Sequence, residues 1–168
     1  MTLFRRAKKQ QPRKRDHEQP LVRWMVHRDL AEVYEIENAC FEFPWTAEDF
    51  EILLRQANVV CMVCELGTVI TGYMMYSLNK QRIELLNLAV HPEVHFCGHG
   101  RAMVEKLIRK LNSRRRIIFC DVRERNLEAQ LFFQHMGFRC TDLLRNHYTE
   151  TEEDAYRFTF QQVFFDRD

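Results

Sequence analysis

A chain of 168 residues, 46% hydrophobic and 12% aromatic, is the size of one domain and can bury one sizeable core. No apolar run of about 18 residues occurs, which excludes a membrane-spanning helix, and the basic N-terminus lacks the apolar segment of a secretory signal. The net charge of +1 hides an asymmetry: residues 1–20 hold seven cations and two acids, which leaves 18 cations against 22 acids over residues 21–168. The break at Pro20 divides a basic, unstructured arm (residues 1–20) from a domain (residues 21–168). The arm reads either as a solvated tail or as a segment that finds RNA or a ribosome by attraction to phosphate.

In chain order, Val22, Trp24 and Val26 alternate as in a strand. Asp29 can cap a helix with Glu32 three residues on, and Val33, Ile36, Glu37 and Cys40 follow at helical spacing. Thr46 and Asp49 form a capping box flanked by Trp45 and Phe50 as a hydrophobic staple, for a helix that runs to about Gln56. Val59 to Glu65 and Val69 to Leu78 form a hairpin around Leu66-Gly67-Thr68, and Arg82 to Val90 is a further strand. After a glycine-bearing loop, Val104, Leu107, Ile108 and Leu111 make a helical stripe. Ile117 to Val122 is a strand. Asn126 opens a helix with Ala129, Phe132, Phe133 and Met136 on one face, which Gly137 ends. Phe138 starts a strand and Tyr156 to Phe165 is the last. The order β-α-α-β-β-β-α-β-α-β-β specifies one α/β (α+β) domain around a mixed sheet.

Six cysteines, several inside apolar runs, suit buried free thiols in a reducing cytoplasm. Cys61 and Cys64 form a lone C-x-x-C without a second pair of ligands, and His91 and His99 lack a third ligand, so no metal site is expected. Arg109, Lys110 and Arg114 to Arg116 form a basic run at a helix end. It serves either to pair with the helix terminus or to meet phosphate.

The segment His95-Phe96-Cys97-Gly98-His99-Gly100-Arg101 joins a strand to a helix. Glycines let backbone approach a ligand, and the helix start offers free N–H groups to an anion such as pyrophosphate. Met103 stands where a dinucleotide fingerprint needs its third glycine, and no Gly-Lys-Ser/Thr is present.

The segment resembles the acetyl-CoA loop of the GNAT superfamily, Q/R-x-x-G-x-G/A, with His95 in the first position. Leu85 to Val90 resembles the strand that leads into that loop, and Asn126 to Gly137-Phe138 the family's last helix. Within the superfamily, the chain is similar to the RimI-like ribosomal-protein alanine N-acetyltransferases. The similarity lies in Ile36-Glu37 before Phe43-Pro44-Trp45, Leu86 to Val90, Asp121 to Asn126, and Arg145 to Tyr148 with Glu153-Asp154-Ala155. It covers roughly residues 21–160.

The resemblance implies a splay between central strands and acetyl-CoA as cosubstrate. Backbone of Leu88, Ala89 and Val90 would meet the pantetheine and thioester. Phe96, Cys97, Gly98, His99, Gly100 and Arg101 would wrap the pyrophosphate, and Asn126 would also touch the cofactor. Family members place a Glu general base where Asp121 stands and a Tyr general acid where Phe133 stands. Asp121 is then a base, acting through water across the missing methylene, or a carboxylate paired with Arg123. Phe133 cannot donate a proton and reads as core. Three outcomes stay open: the enzyme works without an acid, another donor substitutes, Tyr148 before His135, or the protein binds cofactor without turnover; Tyr148 also suits a gate on the peptide. The implied reaction is direct transfer to a protein N-terminal amine, with a small-subunit ribosomal protein as the specific partner. The rivals are a small-amine or lysine acetyltransferase, and a silent cofactor-binding or RNA-associated module.

Overall fold

The computed structural model describes residues 19–164; most of the basic arm, and Phe165 with the three residues after it, lie outside them. Seven strands form one sheet in the order β1-β2-β3-β4-β5-β7-β6. They are β1 (Leu21–Trp24), β2 (Val59–Leu66), β3 (Val69–Leu78), β4 (Arg82–Val90), β5 (Ile117–Arg123), β6 (Arg139–Tyr148) and β7 (Glu153–Gln161). Every neighbouring pair is antiparallel except β4 with β5. Four helices cover the sheet: α1 (Leu30–Cys40), α2 (Ala47–Leu54), α3 (His99–Ile108) and α4 (Leu127–His135). This is the single mixed-sheet α/β domain expected, in the expected order.

The period-two alternation of β2 and β3 separates two cores. Cys61, Val63, Tyr73 and Met75 face α1 and α2 and meet Val33, Ile36 and Phe50. Met62, Cys64, Met74 and Tyr76 face α3 and α4 and meet Met103, Val104, Leu107 and Phe133. Cys61 and Cys64, three apart on a strand, thus lie in different cores and cannot share a metal ion.

The local signals resolve unevenly. Thr46 caps α2 through the Asp49 N–H at 3.2 Å, as its box predicts, but the helix ends at Leu54 instead of Gln56. Asp29 does not cap α1. A short 3-10 turn, His27–Asp29, precedes that helix, and the Asp29 carboxylate takes the Val26 N–H (2.8 Å) and the Arg23 guanidinium (2.6 Å). Glu32 reaches across to the Ile70 N–H at 3.2 Å. The last strand begins at Glu153, before Tyr156, and stops at Gln161.

Candidate active site

Strand β4 pairs with β5 only over Arg82↔Ile117, Ile83↔Ile118 and Glu84↔Phe119, and beyond Glu84 the two strands part. The register of β4 on β3 slips between Met75↔Asn87 and Tyr76↔Leu85, which leaves Leu86 as the extra residue of a bulge that bends β4 where the gap opens. The His91 N–H donates to Thr71 O at 2.8 Å, so residues 87, 89 and 91 turn their backbone groups to β3. Leu88 and Val90 turn theirs into the gap. The Val90 carbonyl already accepts from His95 Nε2 (2.7 Å) and the Cys40 thiol (3.2 Å), so the Leu88 and Val90 N–H groups and the Leu88 carbonyl remain for a ligand. Ala89 directs its own N–H and C=O towards Tyr73 on β3.

The glycine loop closes the far side of the gap. Gly98 caps α3 at φ +89°, a conformation that favours glycine, and Ala102 is the first residue to bond back, to Gly98 O at 2.9 Å. The N–H groups of His99, Gly100 and Arg101 therefore have no partner within the helix, and the positive end of its dipole adds to their pull on an anion. A Cβ at Gly100 would lie 3.3 Å from the Phe132 ring and 3.7 Å from Val90, so glycine lets α3 seat against α4 and β4. The His99 side chain turns inward and donates from Nδ1 to Thr71 Oγ1 (2.7 Å), whose hydroxyl donates to Cys64 O (3.1 Å). Burial pushes the His99 pKa down and keeps the ring neutral. Phe96 stands 94% exposed at the rim, at φ +61°.

All the residues expected to hold the acetyl donor except Cys97 line one cavity of about 950 Å³. Cys97 is exposed beside it. Asn126 caps α4, with its side chain accepting the Ala129 N–H at 3.0 Å. His135, the lesser substitute donor, lies in this cavity and not in the next.

A second cavity, about 380 Å³, holds Asp121, Tyr148, Glu37, Glu84, Asn87 and Arg123. The two share Phe41, Leu88, Asn126, Ala129 and Phe133, so they join where β4 leaves β5. Both Asp121 oxygens accept from one guanidinium at 2.8 Å each, but it belongs to Arg157 and not to Arg123. Arg157 stands directly opposite on β7 and lies over the Phe119 ring at 4.6 Å. Arg123 turns instead to Glu150 (2.6 Å) and Glu153 (3.1 Å) at the β6–β7 turn, and its guanidinium lies 3.7 Å over the Tyr148 ring. The Tyr148 hydroxyl donates to the Asp121 carbonyl at 3.2 Å, and burial pushes the phenol pKa up, so it keeps its proton at neutral pH.

Phe133 packs in the core, 5.2 Å from both the Phe132 and Phe138 rings, and forms the wall between the cavities. Glu37 appeared in the sequence on a helical stripe and in a family motif and was given no role in the site. Its 1% exposed carboxylate accepts from the Trp45 N–H (2.7 Å), Asn87 Nδ2 (3.3 Å) and the Tyr73 hydroxyl. Burial pushes its pKa up. The signal was present: an acid on the apolar stripe of α1. Among the described residues, no group of three or more His, Cys, Asp or Glu side chains is placed to hold a metal ion.

Residues 30–138 match the family model described as the acetyltransferase (GNAT) family. The chain belongs to the GNAT acetyltransferase family. A GNAT relative from Escherichia coli strain K12, ribosomal protein bS18-alanine N-acetyltransferase, is 28% identical over 130 residues, 76% of this chain and 87% of the relative. Two solved GNAT structures share the fold. The crystal structure of the ribosomal-protein-S18-alanine N-acetyltransferase from Escherichia coli superposes with a TM-score of 0.77 at 23% identity, covering 89% of this chain and 99% of that one. Arabidopsis thaliana NAA60 in complex with acetyl-CoA gives 0.74 at 16% identity, covering 86% of this chain and 100% of that one. This protein is thus a GNAT N-acetyltransferase with acetyl-CoA as cosubstrate, and the open edge of β4, the helix start at Gly98 and the larger cavity fit that donor.

Proposed function

We propose that this GNAT enzyme acetylates the N-terminal α-amine of a protein by direct transfer, with a small-subunit ribosomal protein as the specific acceptor. The observation that carries the reading is the junction of the two cavities at the free edge of β4, where a thioester from one side can meet an amine from the other. The likeness to bS18-alanine N-acetyltransferases supports the acceptor class.

The geometry supports the following roles. The Leu88 and Val90 N–H groups polarise the thioester carbonyl in the manner of an oxyanion hole. Asp121, held by Arg157, receives the amine proton through water. A free α-amine titrates near 7.7–8.0, so a weak base suffices. The amine nitrogen bonds the carbonyl carbon, the carbon–sulfur bond breaks, and the sulfur takes its proton from the Tyr148 hydroxyl. Positioning the two reactants supplies much of the rate. No acyl-enzyme is needed, and burial pushes the Cys40 thiol beside the junction up to about 11, which suits it poorly as a nucleophile. We place the enzyme in the cytoplasm, in keeping with six free thiols, of which Cys97 and Cys140 are exposed.

The test is thiol release from acetyl-CoA with short peptides beginning with Ala, Ser, Met or Gly, beside lysine-only and polyamine controls. Release with particular free N-termini supports the reading, and Asp121→Asn should then lower kcat on the order of 10²-fold. Release with polyamine or lysine alone moves the acceptor to another amine. Donor binding without release to any acceptor fits the silent module that Phe133 suggests.

A further inference from the structure

The charge of the folded domain is strongly polarised along β4 and α3. Residues 80–82 and 105–116 carry eight cations, Lys80, Arg82, Lys106, Arg109, Lys110 and Arg114 to Arg116, and one acid, Glu105. The remainder of residues 21–168 then holds ten cations against 21 acids. The structure gathers both segments at one end of the sheet. Arg115 Nε donates to Asn79 O at 2.8 Å, the Arg116 N–H reaches Gln81 O at 3.3 Å, and Arg82 stands opposite Ile117 at the start of the β4–β5 pairing. Lys80, Arg82, Lys106, Arg109 and Arg114 are exposed.

Pairing with the end of α3 accounts for little of this charge. Arg109 pairs with Glu105 at 3.8 Å, and Arg115 and Arg116 spend one N–H each on backbone carbonyls. The acetyl donor does not need the patch. Arg82 and Val90 bound β4 at opposite ends, about 25 Å apart for nine extended residues. The anion-binding start of α3 lies a whole helix, about 15 Å, from its basic end.

Beside the cations lies an aromatic side chain. Trp24 is 59% exposed on the edge strand β1, and the Lys110 ammonium sits 4.9 Å from its ring. Cations gathered at one end of the sheet attract a phosphate backbone, and an exposed indole beside them offers a base a stacking platform. A purely acidic protein surface would need the cations and make no use of the indole.

We propose that this basic end of the sheet is a binding surface for single-stranded nucleic acid, distinct from the donor cavity and independent of the charges of the N-terminal arm. The inference does not depend on which amine is acetylated.

The experiment measures binding of the full chain to fluorescent 20-nucleotide oligouridylate and oligodeoxythymidylate by anisotropy over a salt series. The variants are Lys80→Gln with Lys106→Gln and Arg114→Gln, Trp24→Ala, and a full-length chain with the seven arm cations changed to Gln. The triple variant replaces exposed charges with no placed role in the site, and its thermal midpoint should match that of the parent. Each phosphate contact on a single strand adds about 0.7 to the salt slope, so the triple variant should lower the slope by about 2 and weaken binding roughly 100-fold at ~0.1 M salt. Trp24→Ala should weaken binding with the slope unchanged. Unchanged binding in the triple variant, loss only when the arm is changed, or equal affinity for polyglutamate overturns the proposal.

Discussion

Gly72→Ala tests whether β3 sets the position of the cofactor edge on β4. Gly72 lies opposite Val90, and a Cβ there would stand 2.7 Å from the Ala89 carbonyl oxygen and 3.1 Å from Met103 Cε. The Met103 methyl can swing away, but the Ala89 oxygen is backbone, so relief to an ordinary 3.4 Å contact moves β4 by about 0.7 Å. Overpacking of this kind costs about 2 kcal/mol, which lowers the melting temperature by roughly 4–8 °C for a domain of this size. The same shift carries the Leu88 and Val90 N–H groups off line, and kcat/KM for acetyl-CoA should fall roughly tenfold. The assays are thermal unfolding and steady-state thiol release. A melting temperature within about 1 °C of the parent, with unchanged kinetics, would refute the claim that this contact positions the edge.

Tyr148→Phe keeps the ring under Arg123 and removes only the hydroxyl. Its kcat should fall on the order of 10²-fold with peptide KM within about twofold, and unchanged kcat removes Tyr148 as the acid. Phe133→Tyr adds a hydroxyl to the wall between the cavities and should raise kcat less than about tenfold, since Tyr148 already supplies the proton to the leaving sulfur. A larger gain would mean that the missing phenol limits the enzyme. His99 has a depressed pKa because burial opposes its charge, so its contribution to stability is present above about pH 6.5 and is lost as pH falls further. Between about pH 7.5 and 5.5 the melting temperature should drop, and less so in His99→Asn, which keeps a polar partner for Thr71; equal drops would clear His99.

Much of the architecture was legible because several signals agree at each place. The capping box at Thr46, the turn at Gly67 and the glycine after α4 each coincide with a change of hydrophobic period. Local agreement misled at Asp29, where Glu32 and the helical spacing after it supported a cap. Asp29 has the chemistry of a cap, but a guanidinium six residues earlier in sequence and the Val26 N–H take its carboxylate. The partner of Asp121 was hidden for a related reason. Arg123 is near in sequence, whereas Arg157 becomes the neighbour only once β7 inserts between β5 and β6. The loop and the strand before it stood out as a candidate cofactor site through resemblance. Which backbone groups are free was not legible, since that depends on the register of β4 against β3. Glu37 was visible as a misfit on an apolar stripe, but its three hydrogen-bond partners come from two strands and a loop.

The three residue pairs that join β4 to β5 make the sheet two half-sheets with a hinge line between them. On one side, β1 to β4 hold together through antiparallel pairing along their lengths; on the other, β5 and β6 flank β7. A donor molecule lying along Leu88 and Val90 would take the place of the strand that the gap lacks. Substrate binding is then also an act of folding, in which each half grips the other more firmly while the donor is in place. Amide protons along the end of β4 would exchange more slowly for as long as the donor stays.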